Sequence, residues 1–431
     1  MAPRRITADD LAAVLPPGGL TLVSSCSAES DLLADMVAGG GDTLAAMRFS
    51  GIFVPGLNRR TWSGSSLSRV LTFFQTPQLR AEPERVDFRP LCYGQISALY
   101  AAEPPSAVLF MCSPPDENGM CSFGPETAFI PDFWRSAGTR IAHINPAMPR
   151  TAGDPGIPFG ELTAFIEQDQ VLKGTPTDLP DPVSRAIAEH AARFIEDGAT
   201  LQTGLGKVPD AVLDALHDRR DLRLHTGLVG DGGLRLVRSG AMAPGSSALV
   251  GVAIGSPELY AGLDDPHFQF RPVSVTHDPR IAGAAGHFVT VNSALEVDLF
   301  GQVYSEVGPK GAMSGPGGAS DFAAAARLSP RGLRLICLPA DAAKGTLSRI
   351  IDPASARGPA SLSRLDTDVV VTEHGAADLR GKSHDDRAEA LIRIAAPPIP
   401  RCPGRKLACG FGSALRTQER IIWPRPSSAA P

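Results

Sequence analysis

The stretch Gln202-Thr203-Gly204-Leu205-Gly206-Lys207-Val208-Pro209-Asp210 has the residue types of an anion-binding turn. Glycines leave backbone N–H groups uncovered, and a helix N-terminus behind them adds a dipole that favours negative charge. The apolar lead-in Ala199-Thr200-Leu201 predicts a strand end. Pro209 and Asp210 suit the first turn of a helix that continues through Ala211–Leu216. The reading is strand, glycine loop, helix. The G-x-G spacing lacks the third glycine of the dinucleotide fingerprint, and no Walker lysine stands at the required offset. The loop is thus either a phosphate site or an ordinary tight strand-to-helix turn. A second glycine loop, Gly308–Gly318 (GPKGAMSGPGG), has few side chains to block a ligand.

Other chemically capable residues have quieter readings. His225 ends a strand-like run, where a hydrogen-bonded orienting role is the common one. Lys344, in Ala342-Ala343-Lys344-Gly345, could meet a phosphate as a flexible point charge. Asp116, Asn118 and His374 sit in turn sequences. The seven cysteines include no CxxC pair and their count is odd, so neither a zinc cage nor a disulfide framework is expected. No metal site is expected, and buried thiols in a reducing cytoplasm are the reading.

The elements that must position these residues alternate. Leu20–Ser24, Phe49–Gly56, Ala107–Met111 and Arg140–Asn145 read as strands, the last two as continuous apolar runs of a buried parallel sheet. Thr7 caps a first helix, and Ser30–Val37 forms another. Asp169–Pro182 is polar and Pro-rich, and marks a boundary between two domains, 1–180 and 181–396. The second begins with an amphipathic helix over Val183–Glu196. Strands follow at Leu222–His225, Phe288–Asn292, Leu333–Leu338 and Val369–Thr372, with a helix over Arg387–Ile394. This half repeats the rhythm of the first. Residues 397–431 change to Pro, Arg and Ser and read as an atypical tail. The fold class is α/β, with two similar open, mostly parallel sheets.

Composition bounds the function. With 43% hydrophobic and 20% charged residues, the 431-residue chain is an ordinary globular protein with ample core. A formal net charge of −5, without a Lys/Arg block, disfavours nucleic acid or an anionic membrane as partner. No apolar run is long enough for a membrane helix, and no secretory h-region follows the N-terminal arginines. A cytoplasmic location is expected.

Six stretches in order carry a family resemblance: SPPDENGMCSFG (113–124), NPAMPRTAGD (145–154), EDGATLQTGLGKVPDAV (196–212), NSALEVDLFGQVYSE (292–306), SGPGGASDF (314–322) and VTEHGAADLRGKS (371–383). The chain resembles the acetyl-CoA hydrolase/transferase family, which includes 4-hydroxybutyrate, succinyl-CoA:acetate and itaconate CoA-transferases. The resemblance implies two α/β domains of the class I CoA-transferase (NagB/RpiA-like) type with the active site between them. It implies acyl-CoA and a small carboxylate as substrates, no permanently bound cofactor, and a homodimer or larger assembly. By resemblance, Gln202, Thr203, Gly204, Leu205 and Gly206 take part of CoA, Asn292 and Gly311 line the same cleft, and Gly315 supplies an oxyanion N–H.

The family mechanism is covalent. A glutamate carboxylate attacks the thioester, and acyl-glutamyl anhydride and glutamyl-CoA intermediates follow. That glutamate belongs to a His-Ser/Thr-Glu pattern ahead of an Asp-Gly. Here the pattern reads His225-Thr226-Gly227, with Asp231-Gly232 behind it, so the nucleophile's position is Gly227. Glycine has no group to acylate. Glu296 is the first substitute carboxylate to consider, and Glu306, Asp231 and Glu373 are weaker ones. A CoA-transferase with an unusual nucleophile position is the leading expectation. A thioesterase using water and a catalytically silent acyl-CoA-binding homologue are the alternatives. A dinucleotide oxidoreductase is disfavoured by the incomplete glycine fingerprint.

Overall fold

The computed structural model describes residues 2–175, 180–245, 247–308, 311–343 and 345–396. Lys344 and the tail 397–431 lie outside the described residues. The N-terminal half builds one sheet from β1 (Arg4–Arg5), β2 (Leu20–Val23), β3 (Arg48–Gly51), β4 (Arg69–Thr72), β5 (Val86–Phe88), β6 (Ala107–Cys112), β7 (Thr139–Ile144) and β8 (Ala164–Glu167). Its order is β1-β8-β7-β6-β2-β3-β4-β5, parallel throughout. β6 is buried at all its positions, which explains its unbroken apolar run.

The C-terminal half builds a second sheet from β9 (Thr200–Thr203), β10 (Arg223–Val229), β11 (Ala248–Ala253), β12 (Phe268–Phe270), β13 (Phe288–Ser293), β14 (Leu333–Cys337), β15 (Val369–Thr372) and β16 (Gly375–Asp378). Its order is β12-β11-β10-β9-β13-β14-β15-β16, parallel except for the β15–β16 hairpin. The molecule is thus α/β with two open, mostly parallel sheets, as the rhythm of the sequence predicts. In each sheet the winding reverses at the middle: β2 lies between β3 and β6, and β9 between β10 and β13. Such reversals open crevices at the C-terminal strand ends, the usual ligand position in this class of sheet.

Local chemistry sets the helices. Ser30 caps α1 (Asp31–Gly39) by accepting from the Leu33 N–H at 3.0 Å. α2 covers Tyr93–Ala102. Asp181 accepts from the Ser184 N–H at 2.8 Å, and Pro182 opens α3 (Pro182–Ala192). α4 starts at Lys207 and ends at Asp214, earlier at both ends than the sequence pattern predicts. The early start follows from Gly206, whose φ of 120° turns the chain into the helix in a conformation side chains resist. α5 (Asp231–Arg238) and α6 (Ala319–Leu328) complete the layer near the site.

Seven strands of the two sheets escape the sequence pattern: β1, β4, β5, β8, β11, β12 and β16. β5 and β12 are only three residues long, and β11 is interrupted by Gly251. β10 also runs to Val229 rather than ending at His225, because it follows β11 through Thr226–Val250 and Leu228–Val252 pairings. Gly227 therefore lies within a strand.

The halves are joined edge to face. The Ala253 N–H donates to Pro125 O at 2.8 Å and the Thr127 N–H to Gly251 O at 3.1 Å, so residues 125–127 run antiparallel along β11. The Gly315 N–H donates to Phe73 O at 2.9 Å. Phe123 and Phe129 of the first half share one apolar core with Val252, Ile254 and Val273 of the second.

Candidate active site

The two sheets aim their C-terminal strand ends at one cavity of about 430 Å³. The second sheet supplies Gln202 and Thr203 from the end of β9 with Gly204 and Leu205 behind them, Gly227 and Leu228 from β10, and Asn292 and Ser293 from β13. The first supplies Cys26, Val54 and Phe74, which follow β2, β3 and β4. The loop Ser314–Gly318 and the start of α6 form another wall.

The structure brings together most of the residues singled out in the sequence. Gln202 and Asn292 meet side chain to side chain: Gln202 Nε2 donates to Asn292 Oδ1 at 3.3 Å, and Asn292 Nδ2 to Gln202 Oε1 at 3.2 Å. Thr226 Oγ1 donates to Thr203 O at 2.8 Å and ties the β9 end to β10. A side chain at Gly204 would meet open space. Gly315 has close neighbours: an added Cβ would stand 3.0 Å from Phe73 O and from Pro90 Cα. The Gly315 N–H is turned toward Phe73 O, so an oxyanion at this amide would have to displace that bond.

Other residues lie elsewhere. Gly311, with φ of 98°, sits in an exposed hairpin outside the cavity wall. Glu296 pairs with Tyr304 in a small ladder away from the wall. Burial raises the Glu306 carboxyl, and Ser361 partly opposes the shift. Asp231 caps the turn at Ser256, accepting from its N–H at 3.2 Å. Glu373 accepts from the Ala340 N–H at 2.8 Å. None of these four carboxylates lines the cavity, and among the described lining residues there is no Asp or Glu at all.

What stands beside Gly227 is His277, a residue with no sequence signal. A Cβ built on Gly227 would lie 2.5 Å from His277 Cε1 and 2.6 Å from Nε2. A Cβ on Gly318 would lie 2.6 Å from the same Nε2. The imidazole thus fills the space where a side chain at position 227 would begin. It stacks on Tyr93 at 4.4 Å between centroids, 11° from parallel, and leans on Phe322 at 4.6 Å. Its Nδ1 is 2.9 Å from Thr276 Oγ1, and that hydroxyl is 3.2 Å from Pro272 O. When the hydroxyl donates to Pro272 O, it accepts from Nδ1–H and leaves Nε2, beside Gly227 and Gly318, as the acceptor.

The ring is 6% exposed. Burial, helped by neighbouring His225, lowers its pKa to about 3, so it is neutral at physiological pH. His225 is lowered by burial too, and its Nε2 is 3.0 Å from Thr276 O, a positioning role like the one expected. Cys26 also lines the cavity, in a left-handed conformation with φ of 48°. Its Sγ is 3.5 Å from Ile52 O, and burial pushes the thiol well up, so it is not a thiolate.

Residues 255–400 match the family model for the acetyl-CoA hydrolase/transferase C-terminal domain. The chain is 37% identical over 325 residues to the 4-hydroxybutyrate coenzyme A transferase of Clostridium kluyveri, covering 73% of this chain and 75% of that one. It is 26% identical over 330 residues to the acetyl-CoA hydrolase of Eremothecium gossypii, covering 65% and 61%. Among solved structures it superposes on RipA from Yersinia pestis with a TM-score of 0.82, at 29% identity, over 91% of this chain and 94% of that one.

Proposed function

The chain belongs to the acetyl-CoA hydrolase/transferase family, and we propose that within it this protein is an acyl-CoA thioesterase, which passes the acyl group to water. Relatives in the family are CoA-transferases and hydrolases, so an enzyme of CoA thioesters is the common ground. The observation that carries the finer reading is the missing carboxylate. Gly227 stands where the family resemblance calls for a glutamate, and no described residue of the cavity wall replaces it.

The transferase route needs that group twice, once to take the acyl chain and once to hold CoA as a glutamyl thioester. Without it, the acceptor must attack the thioester directly. In the proposed arrangement the thioester end of CoA enters between Gly204, the Gln202–Asn292 pair and the 314–318 loop. The glycines let the ligand approach the backbone closely, and backbone amides there would stabilise the tetrahedral oxyanion. The apolar walls Val54, Phe74, Val252 and Leu362 would enclose a small acyl chain.

A second reading is direct transfer to a bound carboxylate in a ternary complex, favoured by the transferase activity named for the relative at 37% identity. One experiment separates the two. The protein is incubated with acetyl-CoA, butyryl-CoA, 4-hydroxybutyryl-CoA or succinyl-CoA, with and without a carboxylate acceptor, while free thiol and new acyl-CoA are followed. Thiol released without acceptor is expected. New thioester formed only with acceptor would replace the thioesterase by the transferase. CoA binding without either product would leave a silent homologue.

A further inference from the structure

We propose that His277 is the general base of this site and that it holds the attacking water where the absent carboxylate would have reached. The inference rests on the thioesterase reading and names the residue that performs it.

Three observations converge. First, Nε2 and Cε1 occupy the starting point of a side chain at position 227, within 2.6 Å of the ideal Cβ. A water hydrogen-bonded to Nε2, at about 2.8 Å, would share the space that a longer side chain at position 227 would otherwise enter. Second, Nε2 has no hydrogen-bond partner among the described residues, although the ring is 6% exposed and lines the cavity. Nε2 is not one of the fully buried unpartnered atoms, so it stays open to a water or ligand atom in the cavity. Third, the ring is held by three neighbours. Tyr93 stacks on the ring, Phe322 leans against it, and Thr276 takes Nδ1. This is the base-and-orienter arrangement of acyl-transfer sites, with the Thr276 hydroxyl and Pro272 carbonyl as the orienting chain.

The step balances without a further reactant. Nε2 takes a proton from water as the water oxygen bonds to the thioester carbonyl carbon. The tetrahedral oxyanion collapses, the C–S bond breaks, and the proton on Nε2 passes to the departing CoA sulfur. The products are the carboxylic acid and free CoA thiol, and the imidazole is neutral again. The free ring enters this cycle unprotonated, and the oxyanion that develops beside it as the water attacks favours its taking a proton. A glutamate could form an anhydride and then carry CoA, whereas an imidazole cannot hold CoA as a thioester. The exchange of a carboxylate for this histidine therefore turns the site from carboxylate acceptors to water.

The test uses the full chain with His277→Gln and His277→Ala, and the same four acyl-CoA esters. CoA affinity is measured by calorimetry and folding by thermal melting. Gln keeps much of the ring's bulk but takes no proton, so it guards against a merely structural effect. The expected result is a fall in kcat of about 10²-fold or more in both variants, with KM and CoA affinity within about twofold. Added imidazole should restore His277→Ala at least about tenfold and leave His277→Gln unchanged. A wild type that hydrolyses while both variants match it overturns the role of His277 alone. Slow variants that fold and bind CoA, with His277→Ala indifferent to imidazole, also overturn it. A wild type inert toward all four esters overturns the thioesterase reading and this inference together.

Discussion

A single methyl group at Gly227 should disturb the protein through one neighbour, and the size of the effect can be worked out. The Cβ of Gly227→Ala would stand 2.5 Å from Cε1 and 2.6 Å from Nε2 of His277. Carbon contacts relax near 3.5 Å, so the ring must retreat by about 0.9 Å. It has little room, with Tyr93 and Phe322 against it and Gly318 behind Nε2. Overpacking of this kind costs about 1–3 kcal/mol. Once His277→Ala has removed the ring, the same methyl should cost close to nothing. The prediction is a coupling of about 1–3 kcal/mol in a double-mutant cycle, read by urea unfolding of the four proteins. A coupling below roughly 0.5 kcal/mol would refute the claim that the ring fills the 227 slot. The same geometry bears on function. Gly227→Glu alone collides with the ring, whereas Gly227→Glu with His277→Ala has space for the carboxylate. The paired variant should gain transfer of CoA to an added carboxylate. If it folds and binds CoA but transfers nothing, Gly227 is not the nucleophile's position.

Other outcomes follow from neighbouring features. Glu126 is 3% exposed, and burial lifts its carboxyl to about 7, opposed by backbone bonds from Ala128 and Ser25. A raised folded pKa means that its stabilising contribution is present below the unfolded value of 4.5 and is lost as pH climbs through about 7. Glu126→Gln should therefore melt above wild type at pH ~8, by up to roughly 3 kcal/mol, and converge with it near pH ~4.5; a difference independent of pH would contradict this. Gln202→Ala breaks the Gln202–Asn292 pair and should weaken CoA binding about tenfold, roughly 1.4 kcal/mol; an unchanged Kd by calorimetry would remove that pair from the ligand site. Gly204→Ala meets open space and should melt within about 0.5 kcal/mol of wild type while impairing acyl-CoA binding. Gly206→Ala forces a side chain to φ of 120° and should lose about 1–3 kcal/mol. Equal melting of the two alanine variants would argue against the turn.

Much of this architecture is legible in the chain because it is local. The apolar run of β6, the Ser30 cap and the strand–glycine loop–helix order around Gly204 and Gly206 each depend on a few adjacent residues. The strands that escape are those whose pattern is short or broken, such as Phe268–Phe270 and the glycine-interrupted Ala248–Ala253. The gap at Gly227 is legible only through a family motif, since a glycine in a strand says nothing of what is missing. His277 is not legible at all. Its neighbours come from three separate segments, Gly227 in β10, Tyr93 in α2, and Gly318 with Phe322 at the start of α6, so the contact exists only in the folded chain. The run Val275-Thr276-His277-Asp278-Pro279 carries no spacing that marks a base. A search for ring-sized side chains packed against glycines would find it, but only with the fold in hand.

The antiparallel stitch between residues 125–127 and β11 has a further consequence. β11 is also the strand beside Gly227, so the position of the cavity's back wall is set partly by the opposite half of the chain. The two halves are therefore not interchangeable cassettes, because a donor half brings its own spacing to the shared wall. Chimaeras that keep residues 120–130 together with the C-terminal half should retain turnover where a swap across that stitch abolishes it.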